Sequence, residues 1–321
     1  MKGSEQKKNT EVTQTKKQAK MQDSRSVSRR NFMKAAGVGA GALIGLPRDA
    51  DAFDLEEYFQ DHFTELSPEE IERTIERLER KYSKKYGKAV TVDTTGPNDD
   101  VLFGYGLDIS RCIGCRRCVY GCVEENNQSR DPQIHWIRVL EFDNDEVIRN
   151  INFDEGDPFY DHEEAPAPGK SYLPIACQQC ENPECVKACP TTATWQEPDG
   201  IVVIDYDWCI GCRYCIAACP YGARHFNWTE PEIPADEMNP NTHYLGNRPR
   251  PHGVVEKCTW CIQRTRHGRY PACVEACPVG ARKFGNLLDP DSEIRYLMEH
   301  KRTFVLKAEI DTKPKFFYFY G

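Results

Sequence analysis

The chain has 321 residues, 39% of them hydrophobic, enough for one large or two ordinary globular domains. Its net charge of -8 is uneven: residues 1–52 carry a net +6 and the rest about -14, which excludes a nucleic-acid partner and charge-driven docking on an anionic lipid surface. Sixteen cysteines are many for this length and mean disulfides, metal or a redox cofactor, with spacing left to decide.

In chain order, Ser28-Arg29-Arg30-Asn31-Phe32-Met33-Lys34 precedes the small, apolar stretch Ala35–Leu46 and then Ala50-Asp51-Ala52, a cleavage-site pattern. This resembles a twin-arginine signal peptide over residues 1–52, so export to the periplasm in the folded, cofactor-loaded state is expected. Gly37, Gly39, Gly41 and Gly45 would make a poor core helix. With no strand before them they are not a dinucleotide loop either. The apolar run falls short of the ~20 residues that cross a bilayer, so no transmembrane helix of the chain's own is expected.

Residues 53–100 read as a helical extension and linker. Ser67-Pro68-Glu69-Glu70 is a helix start with proline at its first position. Ile71, Ile75, Leu78 and Tyr82 then recur on one face, to dock on the chain's own body or to clasp a partner. Residues 87–100, rich in Gly, Thr, Asp and Pro, read as a linker.

Every cysteine falls into one of four groups: Cys112, Cys115, Cys118, Cys122; Cys177, Cys180, Cys185, Cys189; Cys209, Cys212, Cys215, Cys219; and Cys258, Cys261, Cys273, Cys277. The first and third have the spacing of bacterial ferredoxins, in which three thiolates hold one cluster and the fourth crosses to another. The second and fourth carry loops between ligands, Glu181–Glu184 and Ile262–Ala272. Pro190, Pro220 and Pro278 follow the last cysteine of three groups, and Val123 departs from this in the first. Gly114 and Gly211 let the backbone turn tightly beside a cluster. Disulfides and zinc are the alternatives, but repeated three-cysteine runs favour clusters over zinc's separated pairs.

Between groups two and three, Thr194-Trp195 and Ile201–Ile204 flank the turn Glu197-Pro198-Asp199-Gly200, a hairpin signal that puts these groups in one unit. By elimination groups one and four form the other. With the crossing rule, the expected ligand sets are Cys112/Cys115/Cys118/Cys277, Cys258/Cys261/Cys273/Cys122, Cys177/Cys180/Cys185/Cys219 and Cys209/Cys212/Cys215/Cys189.

Residues 141–167 are acidic, reading as a solvated insertion or a docking face for a basic redox partner. Phe316-Phe317-Tyr318-Phe319-Tyr320 reads preferentially as surface for a partner subunit, with packing on its own body close behind. The eight histidines form no ligand pattern.

The stretch Cys209-Ile-Gly-Cys-Arg-Tyr-Cys-Ile-Ala-Ala-Cys-Pro-Tyr-Gly-Ala-Arg-His-Phe-Asn227, Lys257-Cys258-Thr259-Trp260-Cys261 through Pro278, and Thr312-Lys313-Pro314 resemble the four-cluster ferredoxin-like subunit of the dimethyl-sulfoxide-reductase superfamily over residues 104–321. The resemblance implies four 4Fe-4S clusters, since cysteine stands at all sixteen positions. It also implies a non-catalytic electron-transfer subunit of a respiratory oxidoreductase complex. A signal of its own narrows it to branches linked to nitrite, tetrathionate, polysulfide or hydrogenase complexes. Expected partners are a polytopic quinone-binding membrane subunit and a periplasmic molybdopterin or multihaem cytochrome subunit. The alternative is a freestanding periplasmic polyferredoxin. The expected fold is α+β, two ferredoxin-like two-cluster units in one body over residues 101–285, each with an antiparallel sheet, followed by a C-terminal extension, 286–321.

Overall fold

The first ordered element is built from local signals. In the computed structural model, which describes residues 67–143 and 156–321, helix α1 spans Pro68–Tyr86. Ser67 Oγ accepts from the Glu70 amide at 3.3 Å and the Glu70 carboxylate accepts from the Ser67 amide at 3.0 Å, a capping box. Gly87, at φ 68°, ends the helix. The twin-arginine and Ala50-Asp51-Ala52 segments lie outside the described residues, as do Asp145, Glu146, Asp154 and Glu155.

Leu78, Tyr82 and Tyr86 of α1 are buried against Val90, Val92, Ile233 and Met238, so this helix packs on its own chain. Ile71, read onto the same face, is exposed, and the apolar stripe begins at Ile75. Residues 87–100 are not a free linker. They contain β1 (Thr91–Asp93), and Ser83 Oγ and the Glu79 carboxylate accept from the Val90 and Val92 amides at 3.0 and 2.9 Å. The segment's polar composition hid this, because its strand partner lies far along the chain.

The remaining elements follow in order: β2 (Phe103–Asp108), α2 (Arg117–Glu125), β3 (Arg138–Asp143), β4 (Lys170–Ile175), α3 (Glu184–Lys187), β5 (Thr194–Gln196) and β6 (Val202–Ile204). Then come α4 (Tyr214–Ala217), β7 (His225–Phe226), β8 (Asn241–His243), β9 (Val255–Glu256), α5 (Ile262–Thr265), α6 (Ala272–Glu275), β10 (Arg282–Asn286), α7 (Glu293–His300), β11 (Thr303–Phe304) and β12 (Phe316–Phe319). The described residues all fall within one compact unit, Leu55–Gly321.

Strand β1 pairs in parallel with β8, Thr91 opposite Asn241. Strands β5 and β6 form the hairpin read from the sequence, with Trp195 opposite Val203 and Gly200 at φ 83° in the turn. Strands β3 and β4 form a second antiparallel pair, Leu140 opposite Leu173. The largest sheet, in order β10-β2-β12-β11, is mixed rather than antiparallel, because the aromatic chain end enters it parallel to β2.

The aromatic tail therefore packs on its own body, against the preferred reading of a partner surface. Phe316 and Tyr318 are buried, and the Phe316 ring stacks on Tyr105 at 4.5 Å between centroids. The Tyr318 hydroxyl donates to the Pro174 carbonyl at 3.3 Å. Alternating rings fill a sheet face better than they face water. The main core joins this sheet to β3, β4, Trp136 and Trp260. Among the described residues no helix is long and apolar enough to cross a membrane.

Candidate metal centres

Each cysteine group wraps a turn and a short helix. Prolines explain the length of these helices. Helices α3, α4 and α6 stop within four residues, just before Cys189-Pro190, Cys219-Pro220 and Cys277-Pro278, where proline has no amide to continue the ladder. In the first group Val123 stands in that place and α2 runs on to Glu125, so that Asn126 and Gln128 come back onto Cys122. Gly114 and Gly211 have φ of 71° and 73°; a Cβ at Gly114 would lie 2.5 Å from the Tyr172 ring, and one at Gly211 would collide with the Gly253 carbonyl.

None of the sixteen cysteines forms a disulfide. Cys112, Cys115, Cys118 and Cys277 line one pocket, and Cys177, Cys180, Cys185 and Cys219 line another. Cys258, Cys261 and Cys273 surround Cys122 closely enough to act on its ionisation. In the same way Cys209 has Cys189, Cys212 and Cys215 as neighbours. Each gathering takes three thiols from one group and one from another.

The gatherings adjoin one another: Cys215 feels Cys185, Cys258 feels Cys177, and Cys118 feels Cys273. Burial pushes the thiols up, to about 11 for Cys112 and Cys215 and about 12 for Cys180 and Cys258. Neighbouring thiols push the same way, and well up for Cys122 and Cys261. A thiol pushed up in this way becomes a thiolate ligand when a metal centre binds it. Among the described residues no three His, Cys, Asp or Glu side chains converge on a point as one ion requires. A zinc site needs its sulfurs ~2.3 Å from one centre, whereas the thiols of the Cys112 and Cys177 sets line pockets.

Hydrogen bonds to the sulfurs differ from site to site. The Arg282 guanidinium donates to Cys118 Sγ at 3.1 Å, and that of Arg224 to Cys185 Sγ at 3.0 Å. Cys122 Sγ accepts from Gln128 Nε2 at 3.1 Å and Asn126 Nδ2 at 3.5 Å, and Cys258 Sγ from the Trp260 amide at 3.4 Å. The Tyr105 hydroxyl is 3.3 Å from Cys273 Sγ. Motif spacing missed Tyr105, Gln128, Arg224 and Arg282; only the repeated Cys-Pro-x-Gly-Ala-Arg at Cys219–Arg224 and Cys277–Arg282 could have pointed to the two arginines.

The acidic stretch is structured where it is described. Glu141 and Asp143 sit on β3 and pair with Lys170. The buried Tyr160 donates to the Gly114 carbonyl, with the Arg116 guanidinium 4.4 Å from its ring centroid, so this segment covers the first cysteine loop. By contrast Trp208, Ile210 and Tyr214, interleaved with Cys209, Cys212 and Cys215, are exposed.

Residues 169–250 and 247–287 match the 4Fe-4S dicluster domain family. The chain is 44% identical over 223 residues to a protein of Halobacterium salinarum named as an iron–sulfur subunit of dimethyl sulfoxide reductase, covering 68% of this chain and 79% of that one. It is 34% identical to a selenate reductase subunit of Mesobacillus selenatarsenatis over 92% of this chain and 98% of that one. A subunit of the anaerobic dimethyl sulfoxide reductase of Escherichia coli is 34% identical, covering 60% and 76%. The chain belongs to the family of ferredoxin-like iron–sulfur subunits of the dimethyl-sulfoxide-reductase superfamily. It carries four 4Fe-4S clusters, and the two pockets each lined by four thiols fit that group.

Proposed function

We propose that the protein is the non-catalytic electron-transfer subunit of a respiratory oxidoreductase complex. Its clusters sit on Cys112/Cys115/Cys118/Cys277, Cys258/Cys261/Cys273/Cys122, Cys177/Cys180/Cys185/Cys219 and Cys209/Cys212/Cys215/Cys189. The observation that carries this reading is the adjoining series of thiol gatherings, Cys209 to Cys177 to Cys258 to Cys112, each completed by a cysteine from another group. Sets sharing groups two and three, and one and four, make up two ferredoxin-like units.

Bound clusters supply one-electron storage at closely spaced stations. The chain's own residues hold the stations in place, exclude water and fix the local charge. We assign one end of the series to a polytopic quinone-binding membrane subunit and the other to a periplasmic molybdopterin or multihaem cytochrome subunit. The exposed Trp208, Ile210 and Tyr214 beside the Cys209 set support a docking partner there. The Ser28–Lys34 motif supports twin-arginine export to the periplasm, with membrane association through the partners.

Single cysteine-to-alanine variants followed by paramagnetic resonance test the ligand sets. Cys112→Ala and Cys277→Ala should perturb the same signal, and Cys122→Ala the one perturbed by Cys258→Ala. Loss of one common signal in Cys112→Ala and Cys122→Ala would overturn the assignment. Purification of the native protein without membrane or catalytic subunits would overturn the relay, and cytoplasmic retention unchanged by Arg29→Lys/Arg30→Lys the export route.

A further inference from the structure

Six arginines are buried in the described structure, and four have carboxylate partners: Arg248 with Asp205 and Asp207, Arg250 with Glu256, Arg264 with Glu125 and Glu275, and Arg266 with Glu197 and Asp199. The other two, Arg224 and Arg282, have no carboxylate within 4.0 Å among the described residues, although each is 4% exposed. An unpaired buried cation costs several kcal/mol. A fixed anion must therefore lie beside each.

The contacts say where that anion is. Arg282 donates to Cys118 Sγ at 3.1 Å and to the Tyr105 hydroxyl at 3.0 Å. Arg224 donates to Cys185 Sγ and Thr194 Oγ1, both at 3.0 Å, while its Nε and Nη1 are buried with no partner. Both arginines close a Cys-Pro-x-Gly-Ala-Arg run, and both reach the third cysteine of the set that the run's own cysteine completes. The corresponding runs after Cys122 and Cys189 end in Asn127 and Thr194. Two buried lysines lie nearby without bonding a sulfur: Lys257 donates to the Cys258 carbonyl, and Lys315 Nζ has no partner.

We propose that Arg224 and Arg282 are repeat-related positioning residues. Each holds a guanidinium on a ligand sulfur, in the Cys177 and Cys112 sets respectively, and raises the reduction potential of that set's cluster most. The proposal rests on the ligand sets given above. A cluster with four thiolates is net negative and gains one more negative charge with the electron, so a fixed cation bonded to a ligand sulfur favours the reduced form. Arg224 also lies beside Cys215 of the Cys209 set and Arg282 beside Cys273 of the Cys258 set, so the neighbouring cluster feels the same charge more weakly.

The test is a redox titration, read by paramagnetic resonance, of the full protein with its partners. In Arg224→Gln one of the four midpoints should fall most, by at least tenfold in the reduction equilibrium, about 59 mV for one electron, and its neighbour by less. In Arg282→Gln a different midpoint should fall most, and in the double variant both. Lysine at either position keeps the charge and should recover most of the shift. Unmoved midpoints at full iron content, or all four moving equally, overturn the proposal. If a glutamine variant loses iron, wild-type protein labelled in arginine nitrogen decides: hyperfine coupling from guanidinium nitrogen should be strongest on two of the four signals, and its absence overturns the proposal. Failure of the cysteine pairs to share signals would sink the ligand sets instead, which separates the two outcomes.

Discussion

Replacing Phe316 by alanine tests how the chain's aromatic end is used. The ring is 1% exposed and stacks on Tyr105 at 4.5 Å and Tyr318 at 4.9 Å. Removing such a ring costs about 3–5 kcal/mol, the lost transfer energy plus the cavity left behind. Loaded clusters make unfolding irreversible, so the loss is read as a rate. If about half of it reaches the unfolding barrier, some 2 kcal/mol speeds unfolding roughly 30-fold. Bleaching of the iron–sulfur absorbance in guanidinium measures this, with Tyr320→Ala, at a half-exposed ring, as the comparison. Tyr105 also touches Cys273 and Arg282, so paramagnetic signals from the Cys112 and Cys258 sets should be lost first. Bleaching of Phe316→Ala no faster than Tyr320→Ala would refute the packing argument and return the tail to a partner.

Gly211→Ala should reduce iron content by about one cluster, because φ 73° costs a side chain ~1–2 kcal/mol and the Cβ meets the immovable Gly253 carbonyl. Ala at Gly280, at φ 61° with open space around it, should cost only the backbone strain and retain all the iron. Arg266→Met leaves Asp199 buried without its cation and should cost about 3–5 kcal/mol, with part recovered in Arg266→Met/Asp199→Asn; equal stability of single and double variants in a bleaching assay would contradict this. His243 is held neutral, burial lowering it to about 4 from the ordinary 6.5 against the raising effect of its bond to the Thr95 carbonyl. Its Nδ1 accepts from the Leu245 amide. The unfolded state binds the proton first, so this contribution is complete above pH 6.5 and drains away as pH falls toward 4. Protection factors of the amides in residues 88–96, each taken relative to the intrinsic exchange rate at that pH, should be lower at about pH 5.5 than at about 7.5, and His243→Gln should flatten that difference.

The sequence determined what spacing and local chemistry can carry. Three cysteines at three-residue steps need one turn of backbone to gather, so the first and third groups are legible without tertiary structure, and the second and fourth read as the same pattern with a loop inserted. Equally legible is the capped start of α1, which depends only on Ser67, Pro68 and Glu70, and so is the β5–β6 hairpin with its Gly200 turn. Polar composition concealed β1 because its partner β8 is remote in the chain. The aromatic run at 316–320 was ambiguous for the same reason: alternating rings suit a partner's surface or a sheet interior equally, and only the place left beside β2 decides. The residues that act on the sulfurs belong to tertiary structure too. Gln128 reaches Cys122 because Val123 lets α2 continue, and Arg224 and Arg282 are unusual only once every other buried arginine is seen with its carboxylate. Ligand spacing is a short-range property of the chain, whereas the charge that surrounds a ligand is set by whatever the fold packs against it.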